Sequence, residues 1–151
     1  LLKYVHEVKR MFEEQFKKRL QSWHDFRATL ETHPDPLQHT IDAYQRVPGV
    51  SIHTDPWDQK MWPQPWELIS ENQYCAFCTV LGMCYSLQLT ERFKQELVEI
   101  HICIDREKNE TFYLLMIQNR VIGYDGESHI SVSDLPKEII SQRVYTMPRL
   151  Q

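Results

Sequence analysis

The spacing of apolar residues predicts a long helix at the start of the chain. Residues 2–31 carry an apolar residue at every third or fourth position, which is the period of an amphipathic helix. These positions are Val5, Val8, Phe12, Phe16, Leu20, Trp23, Phe26 and Leu30. Such a helix is about 40 Å long, more than a domain of this size needs, so part of it is expected to contact a partner protein. The alternative is that the whole stripe packs on the protein's own core.

Proline and tryptophan mark the segments that follow. Asp35 and Pro36 predict the start of a second helix, because Asp caps free amides and Pro suits the first helical position. Val47-Pro48-Gly49 ends that helix, and residues 50–53 are expected to be a short extended segment. Residues 54–66 hold three Trp and three Pro, which predicts a stiff aromatic loop with a short helical turn after it.

The second half of the chain changes from a helical pattern to an alternating one. Residues 72–87 are apolar on every side, which is typical of a fully buried helix. Residues 98–105 then alternate apolar and polar, the period of a strand, and two more strands are predicted at residues 111–117 and 121–124. A last helix is predicted from Asp134, with Pro136 in its first turn, to Val144. The expected fold class is α+β, with a helical region at residues 1–46 and a core at residues 47–151 in one compact domain.

Composition and charge exclude several classes of protein. The chain has 151 residues, enough for one domain with its own core, and its net charge of −4 comes from acidic and basic residues that are interleaved throughout. With no basic stripe we expect no nucleic acid partner, and with no apolar run of about 18 residues we expect no membrane span. No secretion signal is recognisable, which favours the cytoplasm. The four cysteines are expected to be free thiols, and no cofactor or metal is predicted.

Three residues form the candidate catalytic site. Cys75 opens the apolar helix, where unpaired backbone amides favour a thiolate and could hold an oxyanion. His101 lies in the next strand and could act as the base, and Asp125, directly after the third strand, could orient the imidazole. Each residue also has an ordinary structural reading: a packing thiol, a strand histidine bonded to a neighbour, and a turn carboxylate.

The same cysteines could bind a metal instead. Cys75, Cys78, His101 and Cys103 would supply three thiols and an imidazole, which is a legitimate ligand set for structural zinc. Zinc knuckles are usually polar, glycine-containing turns, whereas Cys75 and Cys78 belong to an apolar helical run. A zinc site is therefore the weaker hypothesis.

One stretch of the chain resembles a known family, the transglutaminase-like cysteine proteinase superfamily. The resemblance covers roughly residues 47–126 and rests on Asp55, Trp62, Pro65, Glu67-Leu68, Gln73-Tyr74-Cys75, His101 and Asp125. It implies a papain-like fold with the nucleophile on the central helix and the catalytic order Cys, His, Asp. The Trp-rich segment is also similar to small proteins of tailed bacteriophages, which implies a location in a virion as an alternative to the cytoplasm.

The residues around Cys75 depart from the family pattern. Members of its bacterial branch have Gly-Asp before the cysteine and Glu-Asp after it, whereas this chain has Gln73-Tyr74 and Ala76-Phe77. Because burial raises a thiol pKa, the more apolar surroundings work against activation. We therefore expect a structural or assembly component with a degenerate Cys75-His101-Asp125 site, which binds other proteins through its N-terminal helix. The alternative is an active thiol hydrolase or acyl transferase that acts on amide bonds.

Overall fold

The computed structural model describes residues 11–50 and 54–150. Within them the protein is a mixed α+β fold, as predicted, with four α-helices followed by a five-stranded antiparallel sheet. The helices are α1 (Phe16–Leu30), α2 (Pro36–Tyr44), α3 (Pro65–Glu71) and α4 (Ala76–Gln88). The strands are β1 (Val98–Asp105), β2 (Glu110–Ile117), β3 (Arg120–Ile122), β4 (Ile130–Ser131) and β5 (Ile139–Thr146). In this part of the chain, no helix has both the length and the apolar character that crossing a bilayer requires.

Helix α4 is the centre of the molecule, and the prediction of a buried helix here is confirmed. Eleven of its thirteen residues are buried, and the exposed residue Ala76 lies in its first turn. The preceding helices pack on one side of it and the sheet packs on the other. On the helical side, Ser86 receives a hydrogen bond from Trp23 of α1 at 2.9 Å and shares one with Tyr44 of α2 at 2.8 Å. These bonds satisfy the three polar side-chain groups that the packing buries.

The sheet has the order β4-β3-β2-β1-β5 and a different environment on each face. Its inner face, which includes Ile100 and Ile102, joins the core around α4. Its outer face forms a second, smaller apolar cluster around Cys103 and Leu114, covered by residues near β4. Because successive strand residues point to opposite faces, neighbouring residues of β1 belong to different clusters.

The C-terminal prediction is wrong, because residues 139–146 form strand β5 rather than a helix. This strand pairs antiparallel with β1 and supplies its second neighbour in the sheet. Without it, the backbone groups along one side of β1 would lack partners. Ile139, Ile140, Val144 and Tyr145 are also residue types that favour strands. Pro136 precedes the strand instead of starting a helix.

The predicted helix over residues 2–31 is interrupted before α1 begins. Gln15 is extended, with φ −69° and ψ 161°. The interruption lets Phe12 enter the core, where its ring meets Tyr44 at 5.2 Å and Tyr74 at 5.5 Å. Arg19 is also buried and donates to the carbonyl oxygens of Ile69 and Ser70, near the end of α3. The prediction for residues 1–10 lies outside the described residues.

The start of α2 agrees with the sequence prediction. Asp35 precedes the helix and its carboxylate accepts the backbone N–H of Gln38 at 3.2 Å, while Pro36 is the first helical residue. After the helix, Val50 donates its N–H to the carbonyl oxygen of Tyr74 at 3.2 Å. The extended segment predicted for residues 50–53 is described only at Val50.

Gly82 allows α2 and α4 to approach closely, and replacing it tests that contact. A Cβ atom at Gly82 would lie 2.6 Å from Cε2 of Tyr44. We expect Gly82→Ala to lower the free energy of unfolding by about 1–3 kcal/mol, because this overlap outweighs the better helix propensity of alanine. Urea unfolding followed by circular dichroism measures the change.

Gly49→Ala is the matched control. A Cβ at Gly49 meets nothing within 4 Å, so this variant should change stability by less than about 1 kcal/mol. Equal effects of the two substitutions would contradict a steric role for Gly82.

Candidate functional site

Cys75 lies directly before the first residue of α4, where the sequence predicted it. Its backbone is extended, with φ −76° and ψ 173°, and its carbonyl oxygen accepts hydrogen bonds from the backbone and hydroxyl of Thr79. The side chain is only 3% exposed. It lines a small cavity of about 110 Å³ together with Cys78 and Thr54. The thiol is thus at a helix N-terminus but enclosed.

The neighbouring thiol of Cys78 is not activated. Burial raises the pKa of Cys78 to about 11, with a further raising effect from Cys75, and the hydrogen bond with Thr54 lowers it only in part. The Cys78 sulfur donates to the Thr54 hydroxyl at 3.2 Å. At neutral pH the Cys78 side chain is therefore a protonated thiol rather than a nucleophile.

His101 lies on the opposite face of the sheet from Cys75. Cys75 belongs to the core around α4, which on β1 includes Ile100 and Ile102. His101 falls between these two residues and shares the outer face with Cys103. The backbone of the sheet therefore separates the His101 imidazole from the Cys75 thiol.

Both ring nitrogens of His101 are occupied by outer-face neighbours. Nε2 is 3.0 Å from a carboxylate oxygen of Glu99, and Nδ1 is 2.7 Å from the hydroxyl of Ser141 on β5. An ionised carboxylate only accepts hydrogen bonds, so in the neutral ring Nε2 carries the proton and Nδ1 accepts the Ser141 hydroxyl proton. Cys103 lies 3.7 Å from the same hydroxyl. The sequence does not indicate the group of Glu99, His101, Cys103 and Ser141, because it predicts a helix over Ser141 where the structure has strand β5.

Tyr113 lies on the same face of the sheet as Cys75. Tyr113 pairs with Ile102 across β1 and β2, which puts it on the inner face, and its ring contacts Phe77 of α4 at 5.3 Å. The pKa of Tyr113 is raised, first by burial and then by Cys75 and Asp55. A phenol with a raised pKa stays protonated near neutral pH and cannot take a proton from a thiol. The sequence of β2 carries no signal that identifies this residue, because residues 112–117 are all apolar or aromatic and show no alternation.

Asp125 caps a turn in the loop after β3. One of its carboxylate oxygens accepts the backbone N–H groups of Glu127 at 2.9 Å and Ser128 at 2.8 Å, and the other accepts the Ser128 hydroxyl at 3.0 Å. These bonds lower the pKa of Asp125, which is exposed to solvent. No hydrogen bond joins Asp125 to the His101 ring in the described part of the chain, where Ser141 and Glu99 are the partners of that ring. The three predicted residues are therefore not brought together.

The four potential zinc ligands are likewise divided between the two faces of the sheet. Cys75 and Cys78 belong to the core around α4, whereas Cys103 belongs to the outer cluster and shares its face with His101. Across residues 11–50 and 54–150, no group of three or more His, Cys, Asp or Glu side chains is arranged to hold a metal ion. All four cysteines are free thiols, as predicted.

Comparison with protein families and with curated proteins identifies no relative of this chain. No protein-family model matches it, and no curated protein shows significant similarity to it. The resemblance to the transglutaminase-like superfamily rests on the residues quoted above.

We expect Asp125→Ala to loosen the loop without affecting Cys75. Loss of the carboxylate removes three hydrogen bonds, so amide exchange at Glu127 and Ser128 should become about three- to tenfold faster. In the native protein this protection should be complete above the ordinary carboxyl pKa of 3.8 and should disappear as the pH falls through the lowered pKa. Hydrogen exchange followed by NMR measures both effects.

Asp134→Ala serves as the control for this substitution. Asp134 is an exposed aspartate in the short turn after β4, so its loss should leave exchange at Glu127 and Ser128 unchanged. Unaltered exchange in Asp125→Ala would show that the carboxylate does not hold the loop.

Proposed function

We propose that the protein is a structural or assembly component with a transglutaminase-like fold, in which Cys75, His101 and Asp125 do not form a catalytic site. One observation carries this proposal: the His101 imidazole is on the sheet face opposite Cys75, with both nitrogens bonded to Glu99 and Ser141. A thiol hydrolase needs a base within hydrogen-bond reach of its sulfur.

The surroundings of Cys75 support the same proposal. On the sheet face that Cys75 shares, the Tyr113 phenol has a raised pKa, so it cannot act as a base near pH 7. Tyr74, directly before Cys75, and Phe77, two residues after it, are both buried. None of these three residues carries a positive charge that would stabilise a thiolate.

The family assignment is supported by the order of the elements. A Trp-containing segment and a short helix precede Cys75, α4 starts directly after it, and an antiparallel set of strands follows. This is the order that the resemblance implies. A retained fold with rearranged site residues fits a protein selected for its shape and its contacts.

The Trp-rich segment is a candidate contact surface for other proteins. Trp62 is buried and packs against Phe77 and Tyr145. Trp57, Met61 and Trp66 are instead 49%, 71% and 60% exposed. Aromatic residues and Met are enriched at protein–protein interfaces. We place such an assembly in a virion or in the cytoplasm, and the N-terminal region remains a second candidate for contact.

Labelling of the thiols tests whether Cys75 is activated. Treated with iodoacetamide at pH 6, the native protein should react at Cys75 no faster than glutathione does, because the thiol is buried and the His101 imidazole lies on the other face of the sheet. His101→Ala should leave that rate unchanged. Mass spectrometry of the digested protein locates the label.

Denatured protein provides the control, since all four cysteines should then react. Rapid and selective modification of Cys75 that is abolished by His101→Ala would overturn the proposal and establish the thiol enzyme.

A second candidate function, acyl transfer to a serine, is favoured by the chain of hydrogen bonds from Glu99 through His101 to Ser141. Carboxylate, imidazole and hydroxyl follow one another in the order used by serine hydrolases. Ser141 is exposed on the edge strand β5, where an ester could reach it. This function ranks second because of the ring nitrogens. In chymotrypsin-type triads Nδ1 faces the carboxylate and Nε2 faces the serine, whereas here Nε2 faces Glu99 and Nδ1 faces Ser141.

A fluorophosphonate probe distinguishes these two functions. Serine catalysis predicts labelling of Ser141 that is lost in His101→Ala, whereas the assembly function predicts that Ser141 reacts no faster than other exposed serines. Ser133→Ala is the control variant, since Ser133 is exposed and hydrogen bonds only to Ser131 among the described residues. Mass spectrometry identifies the modified residue.

A further inference from the structure

A cleft of about 320 Å³ lies between α2, α4, β2 and the loop of residues 123–128. Apolar and aromatic side chains form most of its wall. They include Ile41, Tyr44, Val80, Met83, Tyr113 and Ile122. This volume is within the range of small-molecule sites, which are concave and mostly apolar.

The rim of the cleft is held by hydrogen bonds from α2 and the residue after it. The Gln45 side chain donates to the carbonyl oxygen of Gly126 at 2.9 Å, and the Gln38 side chain donates to that of Glu127 at 2.6 Å. His129, at the end of the loop, bonds to the carboxylate of Asp35. The cleft therefore exists before any ligand enters, which reduces the entropy cost of binding.

Gly123 brings the loop close to β2. Its φ is +110°, and a Cβ there would lie 2.6 Å from the carbonyl oxygen of Tyr113. A larger residue would push the loop away from the strand and widen the cleft. The close approach gives the wall its shape.

The polarity of the lining selects the kind of ligand. None of the described residues that line the cleft is Asp, Glu, Lys, Arg or His. Of the polar side chains, Gln45 donates to the loop, Thr79 donates to the carbonyl oxygen of Cys75, and Ser128 donates to Asp125. A charged ligand would lose its hydration here without gaining a partner of opposite charge.

We propose that this cleft binds one neutral small molecule with an aromatic or branched hydrocarbon body. A protein partner fits the observations less well, because none of the strongly exposed apolar residues of the Trp-rich segment lines the cleft. Of the strongly exposed large apolar residues in the described part of the chain, Tyr124 belongs to the loop beside the cleft, and none lines the cleft itself. This ligand site does not depend on the state of the Cys75 thiol.

The neutral fluorophore N-phenyl-1-naphthylamine provides the test. We expect the full chain to bind it saturably with one site per protein, with a blue shift of its emission. The anionic fluorophore 8-anilinonaphthalene-1-sulfonate has a similar aromatic body and should bind at least about tenfold more weakly, because none of the described residues that line the cleft is cationic.

Ala76→Phe places a ring at the cleft without touching the core, since Ala76 is exposed and lines the cleft at the first turn of α4. It should weaken binding of the neutral probe by about tenfold or more. Ala28→Phe is the matched control: Ala28 is exposed on α1 and outside the lining, so this variant should bind as the native protein does. Circular dichroism checks that both variants fold.

Three results would each overturn the ligand site: no saturable binding of the neutral probe, equally tight binding of the anionic probe, or equal binding of the neutral probe by Ala76→Phe and Ala28→Phe. None of these results would alter the reactivity of Cys75, so this test is separate from that of the proposed function.

Discussion

Helix α4 carries apolar side chains on every face, so it is stable only when other elements enclose it. The remainder of the fold meets this requirement. Helices α1 and α2 cover one side, where Trp23 and Tyr44 converge on Ser86, and the inner face of the sheet covers the other. Gly82 makes the approach of α2 possible because it has no side chain. The position of the sheet relative to α4 in turn determines which strand residues can meet Cys75.

A strand can present only alternate residues to a helix packed on one of its faces. On β1 the residues that face α4 include Ile100 and Ile102, so His101 must point the other way. On β2 the inner residue next to this site is Tyr113, which lies on the same face of the sheet as Cys75. On the outer face, Glu99 and Ser141 form hydrogen bonds with the two ring nitrogens of His101. A buried imidazole with both nitrogens bonded is a stable arrangement. The chemistry near Cys75 thus follows from the register of two strands.

The loop after β3 is held in one conformation by hydrogen bonds and forms part of the cleft beside α4. Asp125 holds its turn through three hydrogen bonds, and Gln38 and Gln45 tie its carbonyl groups to the α2 region. The loop thereby becomes one wall of the apolar cleft beside α4. Asp125, which sequence order suggested as a member of a triad, instead holds the loop that forms this wall of the cleft. Such turn carboxylates are common where a loop must keep one conformation.

The central helix, strands β1 and β2, and the cap of α2 could be predicted from the sequence alone. Each depends on local geometry, because the period of apolar residues and the chemistry of a capping Asp act within a few residues of the chain. The break before Phe16 and strand β5 could not be predicted in this way. The break is explained by the burial of Phe12 between two tyrosines, and strand β5 is explained by the side of β1 that would otherwise lack a pairing strand. Both causes involve residues that are distant in sequence.

The same distinction between local sequence and distant contacts applies to the candidate site. Sequence by itself determined that Cys75 precedes a buried helix, and that His101 and Asp125 follow it in and after strands. Only the tertiary structure decided that His101 and Cys75 lie on opposite faces of the sheet. The physical reason is that a shift of one residue in the packing of a strand reverses the face of every side chain, and the contacts that set this shift are made between elements.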